Sequence, residues 1–456
     1  MKRTLLVVLG ICSLLIAANI MSMSLQDHWQ QHAFTFTSPS TIQSGLVQPV
    51  VAAAEPTLSP NDWPQWRGVN RDGKSPASQL LTQWPSDGPP LIWSVKGLGR
   101  GMSTVSIAQG QLFTMGKLDK QVCLIARRAE TGEPLWETKI DAEGDPTGAP
   151  TIHENHVYAI SYHGKVVCVE RQTGKLIWSR DFVADFGGKV PTWGFCESPL
   201  VDGEHVLCTP GADDALIVAL NRSTGETVWK TKAPSKMKGP GHAGAGYSSI
   251  VVSTGAGVRH YVQLVGQGVI GVSPTDGVAL WGYNRVANGV ASIPTPLVHQ
   301  DYVFASTGYG AGAALLQLSK SSDGIQVKEV YFHPGNKAQN HHGGMVLVND
   351  HVYFGHGQNN GLPMCIELLT GKIKWGPIRG PGAESAAIAY ADGHLYFRYQ
   401  NAVMALIEAS PDAFKLKSSF KLPSHLDNSW PHPVIANEKL YLRDQDVLMC
   451  YDLTKH

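Results

Sequence analysis

The chain has 456 residues, and 37 Lys plus Arg balance 37 Asp plus Glu. This zero net charge gives no sign imbalance that would point to nucleic acid or an anionic membrane as partner. Only 16% of residues are charged, while Gly numbers 48 and Pro 28, which excludes a coiled coil and fits short strands joined by tight turns.

The N-terminus reads as an export signal. Lys2 and Arg3 precede the apolar run Leu5 to Ala18, too short for a confident bilayer span and right for a signal-peptide core. Residues 1–24 are therefore assigned to a signal peptide, with an uncleaved anchor as the alternative. Cys12 follows Ile11, where bacterial lipoprotein signals carry a small residue, which argues against a lipid anchor there. Residues 25–61, rich in Ser, Thr, Gln, Pro and Ala, read as a flexible linker. Residues 62–456 form the folded part.

A repeat runs through that part. Gly is followed four residues later by Trp at Gly132/Trp136, Gly174/Trp178, Gly225/Trp229, Gly277/Trp281 and Gly371/Trp375. The last spacing, 94 residues, is halved by Gly324, where Lys328 replaces Trp. A period near 47 is that of propeller blades. A second landmark, an alternating strand ending in an apolar pair, recurs from Leu112-Phe113 to Leu440-Tyr441, with His260-Tyr261 as its weakest copy. The pattern predicts an all-β fold, an eight-bladed β-propeller of four-stranded antiparallel blades. The chain ends after the third strand of unit eight, and Leu91 to Val95 supplies the missing strand. An N-terminal strand thus closes the ring and removes free sheet edges.

Ala219-Leu220…Thr224-Gly225…Trp229 and the stretch Trp63-Pro64-Gln65-Trp66-Arg67-Gly68…Arg71-Asp72-Gly73 resemble the pyrroloquinoline-quinone (PQQ) repeat propellers. That family includes quinoprotein alcohol dehydrogenases and the propeller lipoprotein of the outer-membrane assembly machinery. The resemblance implies that Trp93, Trp136, Trp178, Trp229, Trp281 and Trp375 lock each blade to the next. It specifies fold more than activity.

Other motifs are set aside on context. Gly68 to Ser75 satisfies the phosphate-binding loop expression, but Pro64 and Pro76 flank it, and no strand or helix frames it. It reads as an exposed turn packed on the propeller. The Gly-rich runs 241–246 and 308–312 lack a βαβ setting. His341, His342 and His356 are no metal set, because adjacent side chains of an extended segment point opposite ways. Cys168, Cys365 and Cys450 occupy one strand position in different blades and read as buried thiols. A disulfide between Cys196 and Cys208 across the turn at Asp202-Gly203 is left open.

The loops entering each first strand share one face around the channel. They place Trp193, Glu197, His242, Tyr247, His341, His342, Glu384, Trp430 and His432 at a ligand-binding channel mouth. Two functions fit. The first is an exported propeller, periplasmic or extracellular and monomeric, acting as a scaffold that binds a protein, glycan or small molecule, with no metal or cofactor. The alternative is a PQQ-dependent alcohol or polyol dehydrogenase, which needs calcium and a proton-accepting acid. Asp145, Glu197, Asp213, Glu384 and Asp444 are the candidate acids. The sequence has no Cys-Cys pair, which those enzymes use against the quinone, and no Cys-x-x-Cys-His. Binding is the favoured reading.

Overall fold

Which strands are apolar on both faces decides the architecture. In His156–Ile160 and Lys165–Glu170 nearly every residue is buried, whereas in the following Leu176–Asp181 only Trp178 is. A strand buried on both sides needs a sheet against each face, and a ring of radially packed blades supplies two. A computed structural model describes residues 32–36, 58–237, 239–242, 244–322 and 324–455. The expected signal peptide lies outside the described residues, as does most of the expected linker. Among the described residues, no helix is long and apolar enough to cross a membrane.

The described strands form eight antiparallel sheets. Blades 1 to 7 span 106–141, 151–181, 200–230, 251–283, 297–334, 340–375 and 386–421. Blade 8 takes Val434–Ala436, Lys439–Asp444 and Val447–Asp452 from the C-terminus and Leu91–Val95 from the N-terminal part. The pairing Trp93↔Cys450, Ser94↔Met449 and Val95↔Leu448 closes the ring with the expected strand.

Most blade junctions repeat one contact. The indole N–H of Trp136 donates to the Arg171 carbonyl (2.9 Å), that of Trp178 to Arg222 (2.9 Å) and that of Trp229 to Pro274 (3.1 Å). Each ring lies on the glycine of the next blade's outer turn. A Cβ on Gly225 would sit 2.7 Å from the Trp178 ring, and Gly225 holds φ +73°. Glycine is required there both for the left-handed turn and for the approach of the indole. Trp93 meets Gly132 in the same way, and Trp375 docks on blade 7 through the Ser410 carbonyl (2.8 Å). Cys168, Cys365 and Cys450 do share one position, opposite the docking Trp of their own blades.

Three junctions depart from the indole pattern, and between blades 7 and 8 it is Phe420 that lies on Gly88. In blade 5 the outer hairpin is long, pairing out to Ser321↔Gly324, so position 328 cannot reach the next blade. Tyr331 docks instead, lying on Gly371 and donating to the Leu368 carbonyl (2.7 Å). Trp281 does not follow the rule either. Its ring turns onto Gly271 of its own blade, where the missing side chain leaves room, and among the described residues its N–H has no partner. The 4–5 junction is held by Glu329, which accepts from Tyr283 (2.5 Å) and Arg285 (2.8 Å). Ala33–Thr35 adds a fifth strand to blade 4, with Thr35 opposite Trp281. These three residues, read as linker, are ordered because they cover an open sheet edge.

The expected exposed turn at 68–75 is also corrected. Residues 61–81 cross the ring and bond to seven blades. Trp63 exchanges both backbone bonds with Ile107 of blade 1 (2.8 and 2.9 Å), and the Pro64 carbonyl accepts from Ile152 of blade 2 (2.7 Å). Arg71 donates to Ser198 and Pro199 before blade 3 (2.8 and 3.2 Å), Trp66 to Thr295 before blade 5 (3.1 Å), and Arg67 to Met345 of blade 6. Ser75 pairs with Tyr390 of blade 7 (2.8 Å), and Leu81 with Leu453 of blade 8 (2.8 Å). Trp63, Arg67 and Arg71 are buried. Eight wedge-shaped blades leave a central hole, and this segment fills it.

Removing one docking ring deletes a large buried surface and opens a cavity. Trp178→Ala is expected to destabilise the chain by about 3–5 kcal/mol, read by chemical denaturation. A loss below about 1 kcal/mol would show that the ring carries no docking.

Candidate functional site

A cavity of about 470 Å³ opens on the face that carries the loops entering the first strands. Its size falls in the range of small-molecule sites, roughly 300–1,000 Å³. Its floor is the plug, through Trp66 and Arg67, so the channel ends here as a cup. Six of the nine expected residues line it: Trp193, Tyr247, His341, His342, Trp430 and His432.

The other three do not. Glu197 is 4% exposed and lies behind the wall, accepting from the Thr209 backbone (2.7 Å), the Thr209 hydroxyl (2.8 Å) and Gln263 (3.2 Å). Its side chain turns toward these groups, in the loop before Leu200–Asp202, while its neighbour Cys196 faces the cup. His242 is exposed on the loop between blades 3 and 4. Glu384 sits at φ +66° in the blade 7 loop, outside the lining. Cys196 and Cys208 are both free thiols.

Aromatic rings line the cup. Trp193, 38% exposed, meets Tyr247 edge-on at 5.7 Å between centroids. Tyr309, His341, His342 and Trp430 follow in sequence at 5.2, 4.6 and 5.3 Å, and Trp66 faces His432 at 4.5 Å. His341 and His342 share the cup despite being adjacent. The pairing of strand Asn340–Val348 is irregular between Asn340 and Met345, and Gly344 at φ +72° breaks the alternation.

Burial keeps the imidazoles neutral. It lowers His341 to about 4 and, with the charge of Arg67, His432 to about 3. His342 is driven well below its ordinary value by burial and by His341 and His432. His341 bonds Ser385 (2.8 Å) and Tyr309 (3.0 Å). The carboxylate in the lining is Asp145, paired with Arg100 (2.8 Å) and Lys117 (3.2 Å); Arg100 also meets Asp427 (3.4 Å).

Sequence reasoning missed Trp66, Arg67, Tyr162 and Tyr309. The first two lie in the stretch Trp63 to Gly68, read only as carrying the family resemblance, just before the segment read as a surface turn. Its density of Trp and Arg was the available signal, since such residues in a turn need something to pack against.

The residues present do not fit the quinone chemistry. Calcium needs several converging oxygen ligands, and the reaction needs a free acid beside the substrate. Asp145 is held by two cations. Asp444 is buried and accepts from Ser424 (2.8 Å), Ser429 (3.2 Å) and the Leu426 backbone (2.9 Å). Asp213 lines a different pocket. Among the described residues, no group of three His, Cys, Asp or Glu is arranged to hold a metal.

Fold and repeat together define a PQQ-repeat β-propeller. The family model described as "Outer membrane protein assembly factor BamB" matches residues 119–377, more than half of the chain. The chain belongs to this family. Similar proteins include the outer membrane protein assembly factor BamB of Kangiella koreensis, 26% identical over 220 residues, which are 46% of this chain and 49% of that one. That of Marinobacter adhaerens is 31% identical over 100 residues, 22% of each chain. The chain thus spans about half or less of the length of these relatives. Two solved structures share the fold. BamB from Moraxella catarrhalis has a TM-score of 0.55 at 14% identity, over 80% of this chain and 98% of that one. Quinohemoprotein alcohol dehydrogenase from Comamonas testosteroni has a TM-score of 0.59 at 12% identity, over 87% and 81%.

Burial raises the Glu197 carboxyl to about 8 against the opposing pull of its Thr209 bonds and Arg71. Folded Glu197 therefore keeps a proton that the unfolded chain has lost above about 4.3. Stability falls as pH rises from there to about 8, at most about 1.4 kcal/mol per pH unit, and flattens beyond. Glu197→Gln is expected to flatten the melting-temperature profile between pH 5 and 8. An unchanged slope would mean that the carboxyl is ionised in the folded protein.

Proposed function

We propose that this chain is an exported, non-catalytic binding propeller, and that the cup-bearing face is its recognition surface. The observation that carries the reading is the cup itself: Trp66, Trp193 and Trp430 surround a blind cavity whose lining carboxylate is already paired. Such a surface holds a ligand by ring contact and desolvation, and it offers no free acid for proton transfer. The Lys2-Arg3 start followed by an apolar run supports export. The name of the relatives, outer membrane protein assembly factor, supports a partner protein that engages this face outside the cytoplasm.

Two measurements test this. A photo-cross-linking residue in place of Trp193, in cells that export the chain, is expected to give discrete adducts. The same residue at exposed Val228 on the outer strand of blade 3 is expected to give none. Absence of adducts at position 193 would overturn the reading. Purified chain given PQQ, calcium, a primary alcohol and a dye acceptor is expected to show no turnover. Dye reduction that Trp193→Ala abolishes would establish the dehydrogenase instead.

A further inference from the structure

Just beneath the cup surface, buried polar atoms lack partners among the described residues, and their chemistry differs. Arg67 is 3% exposed. Its Nη2 donates to the Asp72 carbonyl (3.1 Å) and to the Met345 carbonyl, while Nη1 has no partner among the described residues. None of the described carboxylates lies within ion-pair distance of Arg67, and Asp72 is itself paired with Lys74 at 3.1 Å. A buried guanidinium hydrogen-bonded only to carbonyls, with Asp72 acting on it from beyond ion-pair distance, is an incompletely compensated positive charge, and its free N–H calls for an anion.

Beside it lies a bare acceptor. A side-chain carbon at Gly344 would collide with the Arg67 guanidinium and would stand 3.0 Å from His432 Cε1, so the two side chains are neighbours. His432 Nε2 meets the His342 carbonyl at 3.1 Å and must carry the proton. In the neutral ring, Nδ1 is then an unprotonated acceptor, and it too lacks a partner among the described residues. It calls for a hydroxyl donor. Among the described residues neither nitrogen of His342 has a partner, and a neutral imidazole offers one donor and one acceptor. A ligand that satisfies the floor therefore carries a carboxylate and hydroxyl groups together. The walls add flat aromatic faces, with the indoles of Trp193 and Trp430 among them.

Resting on the binding reading above, we infer that the cup takes an acidic saccharide, a pyranose ring bearing a carboxylate, with the carboxylate on Arg67, ring hydroxyls on His432 and His342, and a sugar face on tryptophan. A neutral sugar leaves the guanidinium unanswered. An aromatic carboxylate leaves Nδ1 of His432 unanswered. Both costs are those of buried polar groups without partners.

Titration of the purified chain with digalacturonate and with its neutral analogue digalactose, followed by tryptophan fluorescence and calorimetry, tests this. Digalacturonate is expected to bind at least ten-fold more tightly, with affinity falling as salt rises. Trp193→Ala is expected to weaken it ten-fold or more with little change in melting temperature. Arg67→Gln is expected to abolish the preference over the neutral sugar. That variant also disturbs the plug, so the selectivity of the unmodified chain decides the matter if Arg67→Gln fails to fold. Equal affinity for the two sugars, or binding of neither, overturns the inference. If neither binds while cross-links form at position 193, the saccharide is wrong and the recognition face stands. If those cross-links are also absent, both readings fall.

Discussion

Everything in this molecule depends on how the ring is shut. Eight separate sheets packed face to face keep only short inner and outer edges, and the ring holds only if the last blade is completed. Sheet edges left open are templates for unwanted pairing. Here the strand Leu91–Val95 pairs with Val447–Asp452, so the first and last parts of the fold share one blade. The segment before it, residues 61–81, goes further and bonds to seven of the eight blades. Contacts between residues so far apart in sequence form only after the intervening chain is ordered, which ties the stability of each blade to that of the whole.

The plug also makes the site. Without Trp66 and Arg67 the channel mouth would be a rim of loops around a hole. With them it is a cup with a floor that is aromatic and positively charged. The same Arg67 that holds Met345 of blade 6 through one nitrogen keeps the other buried at the cup, without a partner among the described residues. Structural closure and recognition chemistry thus use one side chain.

The docking contacts show how a repeat tolerates exceptions. At Gly132, Gly174, Gly225 and Gly277 an indole from the preceding blade lies on the glycine of the outer turn. Where the blade 5 hairpin is extended, Tyr331 replaces the tryptophan three positions further on. Where Trp281 turns inward, Glu329 and the strand Ala33–Thr35 hold the junction. The requirement is a filled wedge between blades, and several side chains can meet it.

The sequence by itself determined the blade count, the four-stranded period and the closing strand. These follow from periodic residues, glycine at outer turns and apolar runs in the central strands, which act through local geometry. Six of the nine residues expected at the mouth do line the cup, because loops entering the first strands of a propeller must converge on the axis. Glu197, His242 and Glu384 were misplaced because the direction of a loop side chain depends on which neighbour it finds, and Glu197 found Thr209 and Gln263. Only the tertiary structure decided that residues 61–81 enter the channel. Nothing periodic marks that segment, and its bonds go to residues up to 377 positions away. The cup floor, and with it the buried and incompletely compensated charge of Arg67, exists only once those distant partners have come together.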